Sequence, residues 1–174
     1  MFCRNLNNVK MKTFFLIFSL ILVSSACFSQ DCDAILKKKY DKFEDRTIIE
    51  SASGVILHDK DGFPLAIRLF SLDSSAFSFL FAVGDGIRMR GGESIVFIME
   101  DGERRSFSNG ASVNYQGRAM CSIFLNSPKV ELLELFSTKL VSSLKVDFME
   151  VEVPIELAKK LRSHVICMKS TLNR

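Results

Sequence analysis

An α+β domain, with an antiparallel-rich β-sheet and two C-terminal helices packed on it, is the fold class this sequence predicts; a β-sandwich with peripheral helices is the competing layout. Three observations lead there. The middle of the chain holds short runs of branched and aromatic residues, "PLAIRLFSL" and "AFSFLFAV" among them, bounded by Asp and Gly clusters, as expected of strands joined by tight turns. The last third changes to a helical period in "SPKVELLELFSTKL" and in the segment after Pro154. Several strand-like runs are apolar on both faces. A sheet with one wet face should alternate more cleanly, so the helices are expected to cover the second face.

The chain opens with a basic region (Arg4, Lys10, Lys12) and has no acid before Asp31. The apolar run Phe14–Val23 and the small residues Ser24, Ser25 and Ala26 follow. That order is the pattern of a secretory signal peptide, with Met11 an alternative start. As a helix the apolar run would reach about 15 Å, half of a ~30 Å hydrocarbon core, so it is expected to be removed rather than to anchor the chain. Two cuts fit. Cleavage after Ser29 leaves residues 30–174 as a single domain of about 145 residues. The stretch Ser24-Ser25-Ala26-Cys27 resembles a bacterial lipoprotein box, with Ser24 where such boxes usually carry Leu. The resemblance implies cleavage before Cys27 and acylation of its thiol.

Removing residues 1–29 changes the balance from 23 basic against 20 acidic residues to 20 against 20. A neutral chain has no overall field to draw in a polyanion, so nucleic acid is not expected as a partner. Export makes a disulfide permissible. Of the three cysteines beyond the leader, Cys121 in "RAMCSIF" alternates with apolar neighbours and reads as core. Cys32 and Cys167 lie near the two ends, which often sit close together in a compact domain, and are expected to pair.

Taken in order, "DAILKKKYDKF" reads as a short helix burying Ile35, Leu36, Tyr40 and Phe43 with its lysines in water. "RTIIES" and "GVILHD" read as strands, and "PLAIRLFSL" and "AFSFLFAV" continue the sheet, the second with Phe77, Phe79, Phe81 and Val83 on one side. "SIVFIMEDGERRSF" reads as a hairpin with a two-residue turn at Asp101-Gly102. That register would place Val96 and Ile98 with Arg105 and Phe107, and Glu100 opposite Glu103. "SVNYQGRAMCSIFL" reads as one long strand bent at Gly117. Ser127 as N-cap and Pro128 at the first position start a helix with Leu132, Leu133, Phe136 and Leu140 as its stripe. In "SLKVDFMEVEVP" the alternation slips by one residue at Phe148-Met149, which marks a bulge or a break between two strands. A last helix from Pro154 presents Leu157, Ala158, Leu161, Val165 and Met168, with Cys167 on its flank.

No motif names a reaction. "HDKDGF" lacks the acid and the bidentate Glu of a calcium loop and reads as a hairpin turn. "GDGIRMRGG" lacks the G-K-[ST] ending of a phosphate-binding loop and reads as turn chemistry, although Arg88 and Arg90 would share one side of an extended segment. No C-x-x-C or paired-His spacing predicts a metal centre, and no cofactor motif is present. His58, His164 and the same-face pair Glu150 and Glu152 are the remaining candidates for proton transfer. The expectation is a non-enzymatic exported domain acting through protein or small-ligand contacts, periplasmic, outer-membrane-associated or extracellular, without a membrane span once the leader is gone. Its rivals are a hydrolase-like or carbohydrate-active enzyme whose residues converge from loops, and a lipid-anchored surface component attached through Cys27.

Overall fold

A computed structural model describes residues 31–72, 76–85, 94–108, 111–115, 118–125 and 129–172. The leader, Cys27, Arg88, Arg90, Ser127 and Pro128 lie outside them, as does the side chain of Cys121. The unit Cys32–Arg174 is α+β, with antiparallel strands, as the sequence predicts. Its strands form two sheets rather than one.

The described residues open with a four-residue helix, α1 (Cys32–Ile35), which passes directly into β1 (Leu36–Asp41). Here the sequence reading fails. The lysine run is an edge strand, paired along its whole length with β2 (Arg46–Ser51) from Leu36↔Ser51 to Asp41↔Arg46. Of the four apolar residues assigned to a helix face, only Leu36 is fully buried, and Tyr40 and Phe43 are exposed. Six ladder positions outweigh the weak helical preference of LKKK, since propensity is a prior that tertiary pairing overrides. Three consecutive lysines also keep a sheet edge from pairing with another chain.

β3 (Val55–His58), β4 (Pro64–Leu72) and β5 (Ala76–Asp85) follow as read. Among the described residues the large sheet has seven strands. Its order is β1-β2-β4-β5, then β9 (Arg118–Leu125) and β8 (Ala111–Tyr115), with β3 on the first half of β4. The expected long strand at 112–125 is two antiparallel strands, paired from Ala111↔Ser122 to Tyr115↔Arg118; the expected bend at Gly117 lies outside the described residues. On β9 the backbone of Cys121 stands opposite Phe81.

The small sheet contains β6 (Ser94–Met99), β7 (Arg104–Ser108), β10 (Val141–Val146) and β11 (Met149–Glu152), in the order β11-β10-β6-β7. The phase slip at Phe148-Met149 is the turn between β10 and β11, where Asp147 has φ 57°. The β6–β7 hairpin is offset by one residue from the expected register. Ile95 faces Phe107, and Ile98 faces Arg104. Gly102 N–H donates to the Met99 carbonyl at 2.9 Å, and the Met99 N–H to the Glu103 carbonyl at 2.9 Å, which closes a three-residue loop. A two-residue I′ turn needs positive φ at both positions; Gly102 has it (83°) and Asp101 does not. Glu100 and Glu103 are therefore not opposed. Glu103 pairs with Arg105 at 2.6 Å and with Lys139 at 2.5 Å.

One core joins both sheets and both long helices, α2 (Lys129–Thr138) and α3 (Ile155–Leu172). Its centre is aromatic: Phe79 of β5, Phe97 of β6 and Phe136 of α2 lie within 4.8–5.7 Å of one another, ring to ring. The apolar stripe of α3, Ala158, Leu161, Val165 and Met168, enters the same core. Both helices thus pack on the core-facing side of the large sheet, whose other face is turned away from that core. That face is half-buried at Ala66, Phe70, Leu80 and Ala82. Cys32 and Cys167 form a disulfide, with Cα atoms 5.3 Å apart, which ties α1 to α3 across 135 residues.

Candidate functional site

Alternation decides which side chains of the small sheet face water. Ile95, Phe97 and Met99 of β6, Leu144 and Val146 of β10, and Met149 and Val151 of β11 point into the core. Their neighbours in sequence point out. Register then lines those neighbours up across the strands. One row runs Glu152, Ser143, Ile98, Arg104; the next runs Glu150, Lys145, Val96, Ser106. Seven of these eight side chains line a cleft of about 750 Å³, which His58, Asp59 and Lys60 also border from the β3–β4 turn. A smaller hollow joins it, bounded by Phe63 and Phe148 at the tips of two hairpins. The cleft is apolar in its middle, acidic along β11, and basic at Arg104.

The β3–β4 turn is held by its own first residue. Asp59 Oδ1 accepts the N–H groups of Asp61 (3.0 Å) and Phe63 (2.8 Å), and Gly62 takes φ 84°. The "HDKDGF" carboxylate is thus occupied in shaping a hairpin, as the turn reading requires. This shape carries Lys60 toward Glu150, whose carboxyl responds to both lysines. Lys145 Nζ hydrogen-bonds it at 2.6 Å from the opposite strand. That bond and Lys145's charge lower the Glu150 pKa, burial opposes them in part, and Lys60 adds the smallest lowering effect.

His58 and the pair Glu150 and Glu152, singled out in the sequence, therefore come together at one cleft. His164 does not join them. It is buried on α3, one turn from Cys167, its Nδ1 has no partner, and burial followed by the Lys160 charge holds its pKa down to about 4. The sequence reading missed Lys145, Arg104, Val96 and Ile98. The one-residue hairpin offset had put Arg105 beside Ile98, where Arg104 stands. A single glycine of positive φ after a non-Gly turn residue was the available signal for the three-residue loop.

No protein-family model matches the chain, and no curated protein or solved structure matches it.

Proposed function

We propose that this chain is an exported, disulfide-stapled binding domain of the bacterial envelope, and that its ligand or partner docks on the outer face of the four-stranded sheet. The cleft across all four strands carries the reading. It has the volume of a small-ligand site, an apolar middle and polar groups converging from the rim. Export is supported by the basic-apolar-small order of residues 1–29 together with the Cys32–Cys167 disulfide, since such bonds persist in oxidising compartments. No helix among the described residues is long and apolar enough to cross a membrane.

Among the groups of the cleft, a carboxyl serving the rival enzyme reading as general acid would have to be held protonated near neutral pH. Lys145 drives Glu150 the other way. A carboxylate kept ionised beside a lysine favours recognition of charge over transfer of a proton.

An NMR screen of small amphipathic fragments tests the site. Hits are expected to move the amide resonances of Val96, Ile98, Ser143 and Lys145; hits that cluster elsewhere would remove the cleft from consideration. Intact mass of the protein from its native host tests export. A chain starting at Gln30 with two thiols oxidised is expected, a diacylglyceryl mass on Cys27 would establish the lipid-anchored form, and a full-length cytosolic chain would overturn export altogether.

A further inference from the structure

The first row of the outer face has an order that the proposed binding function does not by itself require. Across four adjacent strands stand a carboxylate, a hydroxyl, an aliphatic side chain and a guanidinium: Glu152, Ser143, Ile98 and Arg104. All four line the cleft. In the second row Glu150 is engaged by Lys145. Glu152 and Arg104 make no ion pair among the described residues, so each presents its charge to the cleft.

Strands lie about 4.8 Å apart, so the backbones carrying Glu152 and Arg104 are separated by three spacings, on the order of 14 Å. A ligand matching this row needs a cation at one end, an anion at the other, and an apolar middle over Ile98, which is 39% exposed. An extended peptide spans at most about 3.3–3.6 Å per residue. Allowing each charged side chain to lean inward, three or four residues bridge the gap. The fork of Arg suits a terminal carboxylate, which it can hold with two parallel N–H bonds. Glu152 suits an α-ammonium, and Ser143 between them can serve the peptide backbone as donor or acceptor.

We infer that the cleft binds short peptides with free ends, gripping the N-terminal ammonium at Glu152 and the C-terminal carboxylate at Arg104, with an apolar central side chain over Ile98. This rests on the outer face being the binding surface and adds the class of ligand. Charge complementarity at both ends selects the peptide over a neutral sugar, which would leave both charges unanswered.

Calorimetric and NMR titration of the purified oxidised protein with Ala-Leu-Ala tests it, alongside the N-acetylated peptide, the C-amidated peptide and the neutral, fully N-acetylated trisaccharide chitotriose. The free peptide is expected to bind and to shift Ile98 and Ser143. Each block is expected to weaken binding about tenfold or more, the scale of losing one charged hydrogen-bonded contact. Arg104→Gln should abolish the effect of amidation alone, and Glu152→Gln that of acetylation alone; both positions are exposed, and unchanged melting temperatures show the fold intact. Blocked peptides binding as well as the free one, or chitotriose binding in preference, would overturn the inference. If fragments still shift Val96 and Ile98 while no peptide does, the peptide class fails and the binding surface stands; if neither moves the cleft, both fail.

Discussion

In β4 and β5 of the large sheet, the residues turned away from the core include Ala66, Phe70, Leu80 and Ala82, all half-buried, beside an exposed Arg68 and a buried Ser78; in β10 and β11 of the small sheet the equivalent residues are Ser143, Lys145, Glu150 and Glu152, and the last three are exposed. Both sheets use their inner faces for the same aromatic core. They part company on the second face. Clean alternation of apolar and charged residues marks the sheet that meets water, and with it the surface a ligand can reach. A strand apolar on both sides does not decide the matter by itself: β6 is apolar on both, and its outward residues Val96 and Ile98 floor the cleft.

The contrast is sharpest when both sheets are strained through what they share. α3 touches β1, β3 and β4 of the large sheet and β10 of the small one, and the disulfide fixes α3 to the start of the domain. Reducing that bond, or replacing Cys32→Ser, releases a 135-residue loop. The chain-entropy model gives a loss of about 5 kcal/mol for a loop of this size. Denaturant unfolding with and without reductant should show one transition moving to much lower midpoint. Two separate transitions would mean the sheets do not share a core.

Phe79→Ala comes next. Phe79 is 1% exposed and touches rings on β5, β6 and α2. Truncating such a side chain removes its transfer energy and leaves a cavity, together about 3–5 kcal/mol. Urea titration followed by circular dichroism measures it, and a loss under 1 kcal/mol would displace the core from this ring.

Titration separates inside from outside as well. On the wet face Lys145 keeps Glu150 charged; in the interior, burial keeps His164 neutral, with a pKa near 4. An unfolded histidine titrates near 6.5. Between those values the unfolded chain binds a proton that the folded chain refuses. Stability contributed by neutral His164 is therefore full above pH 6.5 and is lost progressively as pH falls toward 4. Melting temperatures from pH 7.5 to 4.5 should fall by several degrees, and His164→Leu should flatten that slope. Parallel slopes in the two proteins would show that another group controls it.

Much of this architecture is legible in the residues. β2 to β6, the two long helices, the break at Phe148-Met149 and the pairing of Cys32 with Cys167 all follow from period, turn chemistry and the placement of chain ends. The failures have a common cause. Leu36–Asp41 carries apolar residues at helical spacing, yet its partner is β2, and pairing between segments is not written in either one alone. The hairpin at Met99–Glu103 turns on whether Asp101 adopts positive φ, a choice of one residue that moves every side chain on β7 to the other face. The site inherited that error. Its acidic half, Glu150 and Glu152, was visible as an alternating strand, whereas Arg104 entered only when the register was known.

Turn substitutions probe that register at a lower cost. Gly62 and Gly102 occupy matching loop positions with φ of 84° and 83°. An alanine in this region carries a penalty of about 1–2 kcal/mol. Open space surrounds both glycines, so the cost is backbone strain and not collision. Gly62→Ala and Gly102→Ala should lose similar stability in chemical unfolding. Their binding effects should differ, because the Gly62 turn borders the cleft through Asp59 and Lys60.

Ile98→Ser gives the smallest change in stability and the clearest separation of the two faces. Ile98 is the exposed apolar residue at the middle of the first outer row, flanked by Ser143 and Arg104. Burial of its side chain is partial, so removing it costs below about 1 kcal/mol, against several for Phe79. The hydroxyl fills less of the apolar floor that a ligand would cover. Fragment-induced shifts at Val96 and Lys145 should therefore weaken markedly while the unfolding midpoint scarcely moves. A variant that unfolds like Phe79→Ala would place Ile98 in the core and remove the wet face; one that binds fragments undiminished would leave the face wet but idle.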